Sequence, residues 1–160
     1  MNEPVINLLK KNARMSVKDM AAASGLTEKE VADKIKEYES SGAVAGYFPV
    51  LNEELIDKDA VTAFIEVKVT PKADFGFDDL ARTIMMYDEV DTVTLMSGSF
   101  DLAVTLSGTD YKEIALFVAQ RLSTIEGVIS TSTHFILKRY KQNGFFMSKD
   151  PVDERSMISP

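Results

Sequence analysis

Apolar residues recur every three or four positions up to residue 42 and alternate by two after residue 60. These are the periods of amphipathic helix and half-buried strand. The first stretch predicts three short helices. Val5, Ile6, Leu8 and Leu9 supply the apolar face of the first, which ends in the polar run 10–12. Ser16 is an N-cap for a second helix, with Met20 and Ala23 facing inward and Gly25 as its stop. Thr27-Glu28-Lys29-Glu30 is a capping box, in which the Thr27 hydroxyl accepts from the Glu30 amide and the Glu30 carboxylate reaches back. It opens a third helix with Val31, Ile35 and Tyr38 on one face and Gly42 at its close. Helix, glycine turn, capped helix is helix-turn-helix punctuation, although other small helical hairpins share it.

The second stretch predicts strand, helix, strand, strand, helix, strand. Val61, Ala63, Ile65, Val67 and Val69 alternate with polar residues, and Phe64 interrupts the polar side. Phe77, Leu80, Ala81 and Ile84 form one helical stripe; Tyr111, Ile114, Ala115, Val118, Leu122 and Ile125 form another, stopped by Gly127. Strands at 91–96 and 102–107 flank the loop Ser97-Gly98-Ser99-Phe100-Asp101, where a glycine suits positive φ. A last strand runs over 128–140. The fold class is α+β: a winged-type helix-turn-helix of three helices, then a ferredoxin-like βαββαβ domain with two helices on one face of a four-stranded sheet. The expected boundaries are 1–45, a linker strand over 46–59, the second domain over 60–142 and a tail over 143–160. In the tail, Phe145, Phe146 and Met147 pin the start and weak order follows. The sheet face without helices carries Phe64, and the last strand is apolar at Ile129, Phe135, Ile136 and Leu137. Such a patch predicts burial against a second copy, through Phe135 among others.

Composition narrows the chemistry. Among 160 residues there is no cysteine and one histidine, His134, which excludes thiolate chemistry and most histidine metal sites. No metal or cofactor is expected. The net charge of −7 is carried entirely beyond residue 50, since residues 1–50 hold seven basic and seven acidic side chains. No apolar run approaches the roughly 20 residues of a membrane helix, and the charged start does not suit a secretory signal. A cytoplasmic protein with no membrane partner is expected.

The run Ser16-Val17-Lys18-Asp19-Met20-Ala21, Gly25-Leu26-Thr27, Val31, Ile35, Glu39, Gly42, Val44, Gly46-Tyr47 resembles the helix-turn-helix of the Lrp/AsnC (feast/famine) transcriptional regulators. The βαββαβ half resembles that family's ligand-sensing domain, with Gly98-Ser99-Phe100-Asp101 matching its glycine-x-x-aspartate loop. The resemblance spans nearly the whole chain. It implies a dimer or octamer that binds promoter DNA and responds to an amino acid or similar small metabolite.

For double-stranded DNA, Ser16 and Thr27 are candidate phosphate donors at helix starts, and Lys29, Lys34 and Lys36 candidate groove contacts. Against each stands a plainer role: the hydroxyls cap and the lysines are solvated. The third helix departs from the family pattern, with three lysines against five acids (Glu28, Glu30, Asp33, Glu37, Glu39). Carboxylates facing phosphates oppose binding. For the effector, Gly98 and Ser99 suit a carboxylate and Asp101 an ammonium group. The family's pocket lies between subunits and adds the last strand, where Thr131, Thr133 and His134 are the matching polar positions. Here too, a tight turn capped by Asp101 and a structural His134 are the plainer alternatives. Two other functions compete: a sensing or assembly protein without strong DNA binding, and an enzyme related to tetrapyrrole decarboxylases, in which His134 is an acid or haem contact. No catalytic residue is assigned.

Overall fold

The computed structural model describes residues 3–70 and 76–147, so the expected weak order after Met147 lies outside the described residues. The chain divides into two units, residues 1–49 and 50–160. The division falls inside the expected linker.

The first unit holds three helices. α1 (Pro4–Lys11) starts on a proline, whose missing N–H costs nothing there, and ends on two lysines that complement the helix dipole. α2 (Val17–Ser24) is capped by Ser16, whose oxygen accepts from the Asp19 amide at 3.1 Å. Gly25, at φ +73°, turns the chain out of it. α3 (Glu28–Ser40) opens with the predicted box: Thr27 Oγ1 accepts from the Glu30 N–H at 3.2 Å, and Glu30 Oε2 accepts from the Thr27 N–H at 2.8 Å. Val5, Leu9, Met20, Ala21 and Val31 form the core, flanked by Leu8, Ile35, Tyr38 and Val44. Ala23 does not face inward as expected; it is exposed. The inner face of α2 follows the spacing 17, 20, 21, 24, so Ala21 is the residue beside Met20. Among the described residues of this unit there is no strand, so its helices alone represent the winged motif.

The linker takes no strand over 46–59, contrary to expectation; its part in the second unit makes one helical turn, α4 (Glu53–Ile56). The strands β1 (Val61–Val69), β2 (Val90–Leu95), β3 (Leu102–Gly108) and β4 (Val128–Phe135) form an antiparallel sheet in the order β2-β3-β1-β4. The two helices α5 (Asp78–Ile84) and α6 (Tyr111–Phe117) contribute Ile84, Ile114 and Phe117 to a core closed over Val61, Ala63, Ile65, Val67, Leu102, Val104 and Leu106. This is the βαββαβ order read from the alternation.

Three details differ. α6 runs into one wide π turn (Val118–Leu122), closed by the Ser123 N–H on the Val118 carbonyl at 2.8 Å. Ile114, Phe117 and Val118 keep α spacing, and the wide turn moves the next buried position to Leu122. Ala115, expected inside, is exposed. β4 stops at Phe135 instead of continuing to 140. Beyond it a small hairpin, β5 (Lys141–Gln142) and β6 (Phe145–Phe146), closes over Asn143 and Gly144, both at positive φ, the conformation a two-residue hairpin turn demands. The expected tail therefore starts inside this hairpin. Met147 pins it, buried and donating its amide to the Tyr140 carbonyl at 3.0 Å, while Phe145 and Phe146 are exposed. Finally, the ladder slips at Lys68/Val69 in β1 and at Val90/Thr92 in the edge strand β2, where the Ser107 hydroxyl donates to the Asp91 carboxylate at 2.5 Å.

Candidate nucleic-acid and effector sites

The five residues expected to meet DNA fall into two groups. Ser16, Thr27 and Lys34 are engaged within the unit. The Ser16 hydroxyl donates to Asp19 Oδ2 at 2.6 Å, and the Thr27 hydroxyl donates to Glu30 Oε2 at 2.7 Å. Both helix starts thus already hold a carboxylate where a phosphate would sit. The Thr27 amide and then its hydroxyl hold the Glu30 carboxyl below the usual carboxylate range. Lys34 Nζ lies 3.3 Å from Glu3 Oε2, which also accepts from the Tyr38 hydroxyl at 2.8 Å. Lys34 and Tyr38, one turn apart on α3, clasp the residue that precedes α1. The Tyr38 hydroxyl, then Lys34, depress the Glu3 pKa; burial, then Glu3, pushes the Tyr38 hydroxyl up to about 12. Neither Glu3 nor Tyr38 was singled out from the sequence for this, because the partners stand 31 and 35 positions apart with no local pattern linking them.

Lys29 and Lys36 form the second group. Both are exposed, and they lie on the outer row of α3 with Asp33 and Ser40, opposite Val31. Along a helix, positions 29, 33, 36 and 40 follow one line. Lys34 is half-buried and lies off that row.

In the second unit, the loop 97–101 joins β2 to β3. The Met96 N–H donates to the Asp101 carbonyl at 2.8 Å and the Asp101 N–H to the Val67 carbonyl at 3.1 Å, tying the loop to β1. Asp101 Oδ2 accepts from the Val69 N–H at 2.9 Å, at the point where the β1 register slips. The carboxylate therefore satisfies a backbone donor freed by the bulge. Gly98 is not at positive φ, so the turn does not demand a glycine. A Cβ built there meets no atom within 4 Å. The space over Gly98 is unused by its own chain.

The register separates the remaining three positions. In an antiparallel ladder directly paired residues point to the same side. Thr131 pairs with Val67 and Thr133 with Ile65, both fully buried under the helices. The Thr131 and Ser123 hydroxyls lie 3.0 Å apart. His134 pairs with Phe64 on the opposite, helix-free side. There its ring centroid lies 6.2 Å from that of Phe64, which meets Phe100 edge-on at 6.0 Å. His134 Nε2 is 3.5 Å from Glu66 Oε1 and 3.3 Å from the Ser132 hydroxyl. His134 thus connects to the loop through Phe64 and Phe100, whereas Thr131 and Thr133 do not join it on that face. Two hollows of about 160 and 270 Å³ exist in this unit, and none of the six expected effector residues lines either.

Phe135 also departs from expectation. It pairs with Ala63, packs on the core and meets the Tyr111 ring at 4.9 Å. It belongs to the helix-covered side and not to a free one. Ile129 and Leu137 remain open, 65% and 85% exposed.

Comparison with known proteins accords with this layout. Residues 5–45 match the winged helix-turn-helix DNA-binding model, and residues 62–145 match the Lrp/AsnC ligand binding domain. The HTH-type transcriptional regulator YugG of Bacillus subtilis is 38% identical over 157 residues, covering 98% of this chain and 95% of that protein. The leucine-responsive regulatory protein of Haemophilus influenzae is 27% identical over 145 residues, covering 91% and 87%. A transcriptional regulator of Neisseria meningitidis, solved in complex with L-Met, shares the fold at a TM-score of 0.69 and 24% identity, over 87% of this chain and 89% of that one. No helix among the described residues is long and apolar enough to cross a membrane. With both halves matched in order and a relative aligned along almost its entire length, the chain belongs to the Lrp/AsnC family of helix-turn-helix transcriptional regulators.

Proposed function

We propose that this regulator binds double-stranded DNA through α3, with Lys29 and Lys36 as its phosphate or groove contacts, and senses an amino acid at the loop 97–101. The observation that carries the sensing half is that Gly98, three residues before Asp101 in an exposed loop, keeps ordinary φ and has open space where a side chain would stand. A side chain there would fill room that a ligand carboxylate can use against the loop amides. Asp101 commits one oxygen to the Val69 amide and leaves the other for an ammonium group. The Neisseria regulator of the same fold was solved with L-Met, which supports this ligand class. His134 is the strand residue assigned to the effector side; Thr131 and Thr133, on the covered side, are left out of it.

The loop and the helix-free sheet face are open on a single chain, and a second copy laid on that face would turn an exposed loop into a closed site. We therefore assign the working form as a homo-oligomer acting on DNA in the cytoplasm, with no catalytic step. Titration calorimetry against the twenty amino acids tests the sensing half: heat with at least one of them, lost in Gly98→Val, is the expected result. Heat unchanged by that substitution removes the loop from the site. Absence of a Soret band after haem addition is the expected result against the decarboxylase alternative.

One observation favours a second reading, an assembly or sensing protein without strong DNA binding: Ser16, Thr27 and Lys34 are all engaged by acids of their own unit. Binding to duplex DNA from the chain's own upstream region at two salt concentrations separates the two. Phosphate contacts release counterions, so affinity must fall as salt rises.

A further inference from the structure

The outer row of α3 has an acid at its centre. Lys29, Asp33, Lys36 and Ser40 are all exposed and succeed one another at i, i+4, i+7 and i+11, so they share one line along the helix. Several other polar groups near this surface are already committed, and the exposed acids Glu28 and Glu37 lie off the row. Ser40 donates to the Glu37 carbonyl at 3.1 Å, Thr27 and Ser16 to their capping carboxylates, and Lys34 to Glu3. The Asp33 carboxylate makes no hydrogen bond and no ion pair among the described residues, and capping, staple and core each leave it unexplained. It stands four residues after Lys29 and three before Lys36. At 1.5 Å per residue those ammonium groups spring from points about 6 Å and 4.5 Å along the axis, one to two base steps to either side.

Resting on the proposal that α3 enters the major groove, we infer that Asp33 is the specificity-determining residue of this helix and reads a cytosine. The argument is one of donors and acceptors. Where the row meets phosphates, an unpaired carboxylate between two lysines weakens binding. Where it meets base edges, the carboxylate is an acceptor with no proton to give. Guanine and thymine present acceptors at their major-groove edges, apart from the thymine methyl, and repel it. Adenine offers its N6 amine beside the N7 acceptor, a pair that suits an amide better than a carboxylate. Cytosine presents the N4 amine alone. The two flanking lysines then serve the neighbouring phosphates, or O6 and N7 of guanine. An acid in this place therefore selects by rejecting three bases as much as by accepting one.

The test uses the full chain and its Asp33→Ala and Asp33→Asn variants in selection from a randomised duplex library. Far-UV dichroism and melting temperature verify the fold, which an exposed substitution leaves intact. The wild type is expected to enrich a site with cytosine at one position of each half. Asp33→Ala loses the preference there, by roughly five- to 150-fold in discrimination, the range for one good side-chain–base contact. Asp33→Asn moves it to adenine. The slope of affinity against salt is unchanged, because no phosphate contact is altered. If both variants enrich the wild-type site and merely bind every duplex more tightly, Asp33 is only a repelling charge and the inference fails. If the wild type enriches nothing, the proposal of DNA recognition by α3 falls first and takes this one with it.

Discussion

Replacing Asp101 separates the backbone bond it makes from the ammonium contact proposed for it. Its Oδ2 is the acceptor for the Val69 N–H at 2.9 Å, and Val69 is 5% exposed, so no water replaces a lost partner freely. A hydrogen bond to an ionised group contributes about 1.5–3 kcal/mol, and a buried donor left alone costs a similar amount. Asp101→Ala should therefore destabilise the second unit by about 1.5–3 kcal/mol. At roughly 4 °C per kcal/mol for a domain of this size, its melting temperature falls by about 6–12 °C. Asp101→Asn keeps an acceptor and loses the charge, so about half of that drop, roughly 3–6 °C, is expected. The backbone bonds of residue 101 to Val67 and Met96 persist in both. Amino-acid binding follows a different order: an ammonium group needs the charge, so both variants lose it alike. Differential scanning calorimetry and titration calorimetry on the same preparations give the two series. A melting temperature unmoved in Asp101→Ala would refute the capping bond. Full amino-acid binding by Asp101→Asn would refute the ammonium contact while leaving the cap intact.

Gly98→Val should leave the stability within about 0.5 kcal/mol of the wild type, because an added Cβ meets nothing within 4 Å; a large drop in calorimetry would mean that the chain itself uses that space. Thr27→Ala should cost the first unit about 1 kcal/mol in urea unfolding, as loss of an N-cap does, and no loss would show the box to be idle. The clasp of Glu3, Lys34 and Tyr38 ties that unit's stability to pH at both extremes. Glu3 and Glu30 titrate lower folded than unfolded, so their contribution is complete above the ordinary carboxylate value of 4.5 and fades as pH falls below it. Tyr38 titrates higher when folded, so its contribution is complete below 10 and fades as pH rises towards 12. Unfolding curves across pH should show both declines, and Glu3→Gln should reduce each, leaving the acid part due to Glu30 and the alkaline part due to burial of Tyr38; an unchanged profile in that variant would break the account. Phe64→Glu, on the helix-free face, should lower the mass in light scattering, whereas Phe135→Glu should chiefly lower the melting temperature, since Phe135 packs on the core.

The order of elements was legible because every helix and strand that builds the two cores carries its own period. Ser16, Gly25 and the Thr27–Glu30 box announce their geometry within four residues, and each stands where that geometry requires. What escaped was phase and distance. The spacings put Ala23 and Ala115 inside, and the true inner faces, centred on Met20–Ala21 and Phe117–Val118, are displaced from them by one or two residues. An alanine is small enough to sit on either side and gives the pattern no anchor. The last strand loses its alternation after Phe135, where Ile136 and Leu137 prolong the apolar run and Lys138 and Arg139 follow, and β4 stops there. The candidate site residues of the last strand could not be assigned a face from sequence: parity in a strand is visible, but which parity faces the helices depends on the ladder with β1. That ladder sets His134 apart from Thr131 and Thr133. The removal of Lys34 by Glu3 is a long-range contact, and no local pattern carries it.

The slip at Val90/Thr92 has a consequence for the fate of the protein at high concentration. β2 is an outer strand with one free row of backbone donors and acceptors, the kind of rim onto which another chain's strand can add and propagate into fibrils. At residue 91 the ladder is interrupted, and an exposed carboxylate, braced by the Ser107 hydroxyl, stands at the rim. An incoming strand would lose its regular pairing there and have to desolvate that charge. The irregularity works as a gatekeeper against amyloid-type stacking and leaves the helix-free face as the surface for the association proposed above.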